Sequence, residues 1–398
     1  MSQSKGTVVL AYSGGLDTSC ILVWLKEQGY EVIAYLANVG QEEDFEAAQK
    51  KAHALGAKKV FIEDLRKEFV EEFIWPGVQA NAIYEDRYLL GTSLARPCIA
   101  RGQVKIAKQE GAQFVSHGAT GKGNDQIRFE LTCYALYPDV KIISPWRLPE
   151  FFNRFLGRND LMEYAKNHGI PVPVTPKSPW SMDANLMHIS YESGILENPK
   201  VIIHDIEILQ ISNYLMPCCT FMGVSHSSQK EIELYHSSSA FFRGKHGVGR
   251  IDIIENRFIG MKSRGIYETP GGTILFHAHM DIETFTMDKE VRKIKQSLSL
   301  KFSEQLYNGF WDSPECEFVR HCINKSQEYV QGKVQLSVYK GNVYILGRES
   351  PSSLYNRDLV SMNVQGDYDP CDAGGFIKIN AVRLREHHRL QSKKDCKA

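Results

Sequence analysis

The stretch TVVLAYSGGLDTS (7–19) decides the fold. Its first half is a continuous apolar run, the pattern of a strand buried on both faces. Its second half is a turn carrying Gly14, Gly15 and the hydroxyls of Ser13, Thr18 and Ser19. Ile21, Trp24 and Leu25 then follow at helical spacing up to Gly29. A strand that feeds a glycine turn into a helix N-terminus makes an anion site, because unpaired backbone N–H groups and the helix dipole both favour negative charge. By itself the turn leaves two readings open: a phosphate cradle, or a plain βα turn with Asp17 as helix cap. It has neither the lysine of a G-x-x-x-x-G-K-[ST] loop nor the spacing of a G-x-G-x-x-G turn.

Outward from this stretch, strands and helices alternate. EVIAYLANV (31–39) and KKVFIEDL (58–65) read as strands, with a helix over 43–56 that starts acidic and ends basic. AQFVSHG (112–118) and KIISPW (141–146) read as two more strands, and a further helix falls near Asn159 to Gly169. This alternation predicts an α/β domain with a parallel, doubly wound sheet. A second glycine cluster, SHGATGKGNDQIRFE (116–130), again follows a strand and opens a helix, with Asn124 and Arg128 on one helix face. Two such turns lie on the same rim of a parallel sheet, where these folds bind ligands.

The proline-dense IPVPVTPKSPW (170–180) marks a domain boundary. KVQLSVYKGNVYILGRES (333–350) reads as a hairpin with Gly341-Asn342 at its turn. Ile377, Ala381 and Leu384 predict a terminal helix behind Asp372 as N-cap. The 398 residues are 43% hydrophobic and 24% charged, with 47 basic against 47 acidic side chains. Zero net charge gives no support for a broad nucleic-acid or anionic-membrane surface. The odd count of 9 cysteines, with no C-x-x-C pair, fits a reducing compartment. No membrane span and no secretory signal is expected, so the cytoplasm is the expected location.

AYSGGLDTS (11–19) is similar to the S-G-G-x-D-[ST]-S loop of the ATP pyrophosphatases. YEDRYLLGTSLARP (84–97), the 116–130 stretch, SPWSMDANLMHISYESGILENP (178–199) and GKHGVGRIDIIENRFIGMKSRGIYETPGG (244–272) resemble the argininosuccinate synthetase family. The resemblance covers roughly 1–200 and 244–398. It implies a nucleotide-binding domain (1–170), an α+β synthetase domain (171–370) and a C-terminal oligomerisation helix (371–398) that crosses subunits of a homotetramer. It implies that the ureido oxygen of citrulline attacks the α-phosphate of ATP, carried with Mg2+. Pyrophosphate leaves, and the amine of aspartate then displaces AMP from the citrullyl-adenylate. The missing lysine fits this chemistry, since the loop would hold a departing pyrophosphate.

By matching motif, the resemblance assigns ATP to Ala11, Tyr12, Ser13, Gly14, Gly15, Leu16, Asp17, Thr18, Ser19 and Ala37. It adds Ser116, His117, Gly118, Ala119, Thr120, Gly121, Lys122, Gly123 and Asn124 from the second loop. Aspartate falls to Thr120, Asn124 and Asp125. Citrulline falls to Tyr88, Ser93, Asn124, Arg128, Ser181, Ser190, Glu255 and Tyr267. Arginine is a natural carboxylate clamp and a glutamate receives an ammonium group. Taken singly, Tyr88 also reads as a core aromatic, and Ser181 and Ser190 as ordinary caps. No covalent nucleophile is required, and the acceptor of the aspartate amine's proton stays open among solvent, a phosphate oxygen and a nearby side chain.

FHAHMD (276–281) imitates a metal site with His277 and His279 on one strand face, but without further ligands a structural role is expected. GKHGVG (244–249) needs only to be a turn before a strand. Residues 201–243 depart from the family pattern: they are shorter, carry "CC", "SHSS" and "HSSS", and have Gly223 as their one glycine. The stretch reads as an altered splice or frame, which raises the alternative of a catalytically impaired relative. Other pyrophosphatase-loop enzymes fit less well. An RNA thiolase calls for catalytic cysteines, whereas Cys98 and Cys133 fall in predicted helices, and an amidotransferase calls for a glutaminase module.

Overall fold

The computed structural model describes residues 4–171, 180–201, 247–363 and 365–395, together with the backbone of the strand Cys218–Val224. The chain divides into two compact units, Met1–Ser352 and Ser353–Ala398.

The first unit is built around a five-stranded sheet of β1 (Thr7–Ala11), β2 (Glu31–Asn38), β3 (Lys59–Asp64), β4 (Phe114–Ser116) and β5 (Lys141–Ile143). Their order is β3-β2-β1-β4-β5 and every pairing is parallel. Alternation along β1 explains why its whole centre is apolar. Val8 and Leu10 pack with Ile21, Leu22 and Leu25 of the helix Leu16–Glu27 on one face. Val9 packs with Ile33, Tyr35, Ala100 and Val104 on the other. Burying three such side chains contributes roughly 5–9 kcal/mol before chain entropy is counted. The chain winds outward from β1 to β3, then crosses back to place β4 on the other side of β1. The strand order therefore reverses between β1 and β4, and the crevice beyond their C-terminal ends is where folds of this kind take ligands.

Two antiparallel sheets complete this unit. One has the order β6-β7-β10-β9, from Ser181–Ala184, Ile189–Glu192, Lys262–Glu268 and Arg250–Asn256. The other has the order β12-β11-β8, from Asn342–Glu349, Gly332–Tyr339 and Cys218–Val224. Of the divergent stretch 201–243, only Val201 and the backbone of Cys218–Val224, a strand paired with β11, are described; the rest lies outside the described residues. Residues 172–179 of the proline-dense boundary do so as well. The second unit holds the helix Pro370–Asp395, which exposes Phe376, Ile377, Ile379, Val382 and Leu384. Among the described residues no helix is long and apolar enough to cross a membrane.

Four local expectations need correction. The FHAHMD segment is not a strand. It lies within the helix Pro270–Thr286, because Pro270 at the first turn starts a helix and the brief apolar–polar alternation is too short to oppose it. His279 there is buried between Asn81 Oδ1 at 2.6 Å and Gln327 Oε1 at 2.8 Å. Asp372 is inside the terminal helix, and it is Asp369 whose carboxylate accepts the N–H of Cys371 at 2.8 Å. The hairpin turn sits one residue earlier than expected, at Lys340 and Gly341, both with positive φ as a two-residue turn between twisted strands requires. Asp17 does not cap the first helix, whose N-cap is Gly15 with no side-chain cap bond.

Candidate active site

The two glycine turns meet at the reversal point. Tyr12, Ser13, Gly14 and Gly15 follow β1, and Gly14 adopts φ +72°, a conformation glycine reaches without strain. The loop is tied by its own hydroxyls: Ser13 Oγ lies 3.1 Å from Thr18 Oγ1 and Tyr12 Oη 3.1 Å from Ser19 Oγ. Because no side chain caps the helix that follows, its first backbone N–H groups stay available to an anion. Lys51, from the helix Phe45–Ala54, donates its Nζ to the Gly14 carbonyl at 2.7 Å. Its half-burial lowers the ammonium pKa, and the loop thus has a cation that its own sequence lacks. Ala37, near the end of β2, gives its carbonyl to Gln41 Nε2 at 2.7 Å.

The second turn approaches the first at Gly118. A Cβ there would stand 2.9 Å from Thr18 Cγ2, so glycine is what allows the loops to touch. Ser116 and His117 are buried, and the Ser116 hydroxyl has no protein partner. His117 Nε2 lies 3.0 Å from Glu130 Oε1, and Arg147 donates to Glu130 Oε2 at 2.7 Å. Burial alone would raise the Glu130 pKa, but the hydrogen bonds and charge interactions with His117 and Arg147 together outweigh it and lower the pKa. Gln126 Nε2 donates to the carbonyls of Gly121 and Gly123, at 2.8 and 3.1 Å, which fixes the turn around exposed Thr120 and Lys122. Ala119 donates its N–H to His117 Nδ1 at 3.3 Å.

The helix Asp125–Leu136 starts from this turn, and an ion cluster gathers at its head. Arg96 donates to Asp125 Oδ2 at 2.8 Å and to Asp183 Oδ2 at 2.6 Å. Arg128 donates to Asp125 Oδ1 at 2.8 Å and twice to the Tyr307 carbonyl. Burial opposes the Asp125 charge, yet the two guanidiniums bring its pKa down to about 2, so it stays ionised. Asn124 is buried and accepts the Phe258 N–H at 3.1 Å.

Strand register explains how four distant motifs converge. Side chains of directly paired residues share a sheet face, and residues two apart along a strand share it too. Tyr267 pairs with Ser190, Asp183 with Ser190, Ser181 with Glu192, and Ser263 with Glu255. One face of the sheet therefore presents Ser181, Asp183, Ser190, Glu192, Tyr267 and Glu255. Tyr267 Oη donates to Glu255 Oε1 at 3.0 Å. Its ring leans over Gly265, where a Cβ would come within 2.5 Å of the Tyr267 oxygen. Tyr88 is buried and stacks on Tyr267 with ring centres 4.2 Å apart. Ser93, at the start of the helix Gly91–Gln109, is fully buried with an unpartnered hydroxyl. Ser181 is the exposed member of the set.

Several residues escaped the sequence reading. Arg96, Asp183, His188, Glu192, Arg257 and Gly265 all lie inside the quoted motifs, and the i, i+2 spacing of Ser181 with Asp183 and of Ser190 with Glu192 was the available signal. Arg257 donates to the Lys122 carbonyl at 2.9 Å and lies 3.5 Å from Glu192. Lys51 had no signal beyond its place in a helix flanking β1.

A parallel sheet with two glycine turns at its reversal point, beside an acid- and serine-bearing antiparallel face, defines a nucleotide-using α/β enzyme with a second, polar substrate cleft. Residues 7–171 match the family described as "Arginosuccinate synthase N-terminal HUP domain", and 222–387 match "Arginosuccinate synthase C-terminal domain". The chain is 72% identical to argininosuccinate synthase of Danio rerio, 71% to that of Rattus norvegicus and 70% to that of Homo sapiens, each over 98% of both chains. It belongs to the argininosuccinate synthase family of ligases.

Proposed function

We propose that this chain joins L-citrulline to L-aspartate at the expense of ATP, releasing pyrophosphate and then AMP. The observation that carries the reading is the meeting of the β1 and β4 turns at Gly118, because it aims helix N-terminal N–H groups into one crevice. On this reading, residues 11–19, Ala37 and 116–124 hold ATP, with Lys51 and the loop N–H groups neutralising pyrophosphate as it departs. The triphosphate's negative oxygens fit such a donor set, and Mg2+ would enter on them, carried with ATP and without protein side-chain ligands. The metal supplies charge neutralisation on the phosphates. Glu255 receives the α-ammonium of citrulline, while Ser93, Ser181, Ser190 and Arg128 take its polar groups. Tyr88 and Tyr267 wall the cleft. Thr120, Asn124 and Asp125 take aspartate. Holding both reactants beside a polarised phosphate lowers the barrier by positioning and by fixed charge.

The same reading places the nucleotide domain at 1–170 and the synthetase domain at 171–370. It makes the apolar face of the terminal helix an intersubunit arm of a homotetramer in the cytosol. The test is pyrophosphate release from Mg-ATP with citrulline and aspartate omitted in turn. Release that requires citrulline supports the reading, and release that citrulline does not stimulate refutes it. A chain that binds ATP without release would be the impaired relative that the stretch 201–243 raises.

A further inference from the structure

The aspartate amine enters this reaction as an ammonium ion and must lose a proton before it attacks. Asp125 cannot take that proton, since two arginines hold it ionised and occupy both its oxygens. Glu255 is engaged by Tyr267 on the far side of the sheet face. His188 is not suited either: burial, then the charges of Arg96 and Arg128, press its pKa down to about 3.

Glu192 is a further carboxylate on this sheet face. It projects from the end of β7 on the same face as Ser190 and Ser181, between the β9 carboxylate Glu255 and the helix head at Asp125. The register that pairs Ile266 with Tyr191 leads on to Gly265 beside Glu192, and the Tyr267 ring leans over that glycine, so an aromatic wall flanks the carboxylate. Arg257 lies 3.5 Å away and also holds the Lys122 carbonyl, which brings Glu192 to the edge of the nucleotide turn. The groups facing it are Asp183 on β6, Asp125 on the helix, Glu255 on β9 and Arg257 on the loop after β9. Its side chain is 37% exposed. Burial, then the charges of Asp125 and Glu255, raise its pKa to about 7 against the pull of Arg257. A base poised at the working pH is the most effective kind.

We propose that Glu192 is the general base that deprotonates the α-ammonium of aspartate in the second half of the reaction. The inference rests on the function proposed above. The proton passes from nitrogen to a Glu192 carboxylate oxygen. The freed lone pair forms the C–N bond to the ureido carbon of the citrullyl-adenylate. The C–O bond to AMP breaks with its electrons on AMP, and the second N–H proton leaves on an AMP phosphate oxygen, so the product keeps a single positive charge on its guanidinium.

The test is Glu192→Gln in the full chain, with two half-reactions read separately. Citrulline-dependent exchange of labelled pyrophosphate into ATP, without aspartate, reports adenylate formation. It is expected to stay within about twofold of the parent. Aspartate-dependent turnover is expected to fall roughly 10²–10⁴-fold. Hydroxylamine, whose nitrogen is already unprotonated at neutral pH, is expected to capture the adenylate at near-parent rate. Glu192→Asp is expected to recover part of the aspartate rate. Undiminished aspartate turnover in Glu192→Gln overturns the assignment, and so does equal loss of exchange and turnover. Absence of citrulline-dependent exchange in the parent chain overturns the functional reading instead.

Discussion

Gly265→Ala tests the substrate face at its tightest point. The new methyl would stand 2.5 Å from Tyr267 Oη and 2.7 Å from Cζ and Cε2, inside any tolerable contact. The tyrosine ring must swing away, since the other neighbour is sheet backbone. Swinging costs the 3.0 Å bond to Glu255 and the 4.2 Å stack on Tyr88. A hydrogen bond to a charged group contributes about 1.5–3 kcal/mol and an aromatic pair about 0.5–1.5. Together these predict a loss of about 2–4 kcal/mol in citrulline recognition, or roughly 30- to 1,000-fold in kcat/KM. Steady-state kinetics with citrulline varied at saturating ATP and aspartate would read it, beside a melting curve to confirm folding. The KM for ATP is expected to hold. An unchanged kcat/KM for citrulline in a folded Gly265→Ala protein would refute both the crowding argument and the placement of Tyr267 in the cleft.

Gly118→Ala drives a methyl to 2.9 Å from Thr18 Cγ2 and parts the two nucleotide turns. ATP affinity is expected to drop by about 5- to 150-fold, the scale of a 1–3 kcal/mol overpacking strain, with citrulline affinity nearly unchanged. Adding Thr18→Ser removes the offending methyl but keeps the hydroxyl, and is expected to restore most ATP binding by calorimetry. His188, with its pKa brought down to about 3 from 6.5, gives a signed pH prediction. A depressed pKa means the unfolded chain binds the extra proton first. Its stabilisation is complete above pH 6.5 and is lost as the pH falls toward 3, by on the order of 5 kcal/mol. Urea midpoints measured between pH 7 and 4 should fall less steeply in His188→Gln, and imidazole nitrogen shifts of the parent should show a neutral ring down to pH 4.

The parallel sheet was legible because a strand buried on both faces has to be apolar throughout, as Val8, Val9 and Leu10 are. The glycine turns were legible because close backbone approach excludes side chains, as the Gly118 contact with Thr18 bears out. What stayed hidden depends on pairing between strands remote in sequence. Nothing local tells Gly265 that a tyrosine two residues later will fold over it, or that Ser263 will face Glu255. Arg96 reads as one more helix arginine in the sequence, and only the fold brings Asp125 and Asp183 to it. His277 and His279 misled because two histidines one residue apart suit a strand face as well as a helix turn. The helix won through Pro270 and the apolar residues Ile274, Ala278 and Ile282, which are buried at four-residue spacing.

Asn124 accepts the Phe258 N–H across 134 residues of chain, and Arg257 reaches Lys122 across 135. Contacts of such sequence separation form only after long loops have closed, which is slow and costs entropy at the outset. Neither half of the cleft is therefore finished by local folding of its own segment. A ligand gripping both halves binds the completed unit and not its precursors, so it shifts the folding balance by mass action. On the proposed function, substrate supply would then raise the share of chain that survives proteolysis, in addition to setting how fast it turns over.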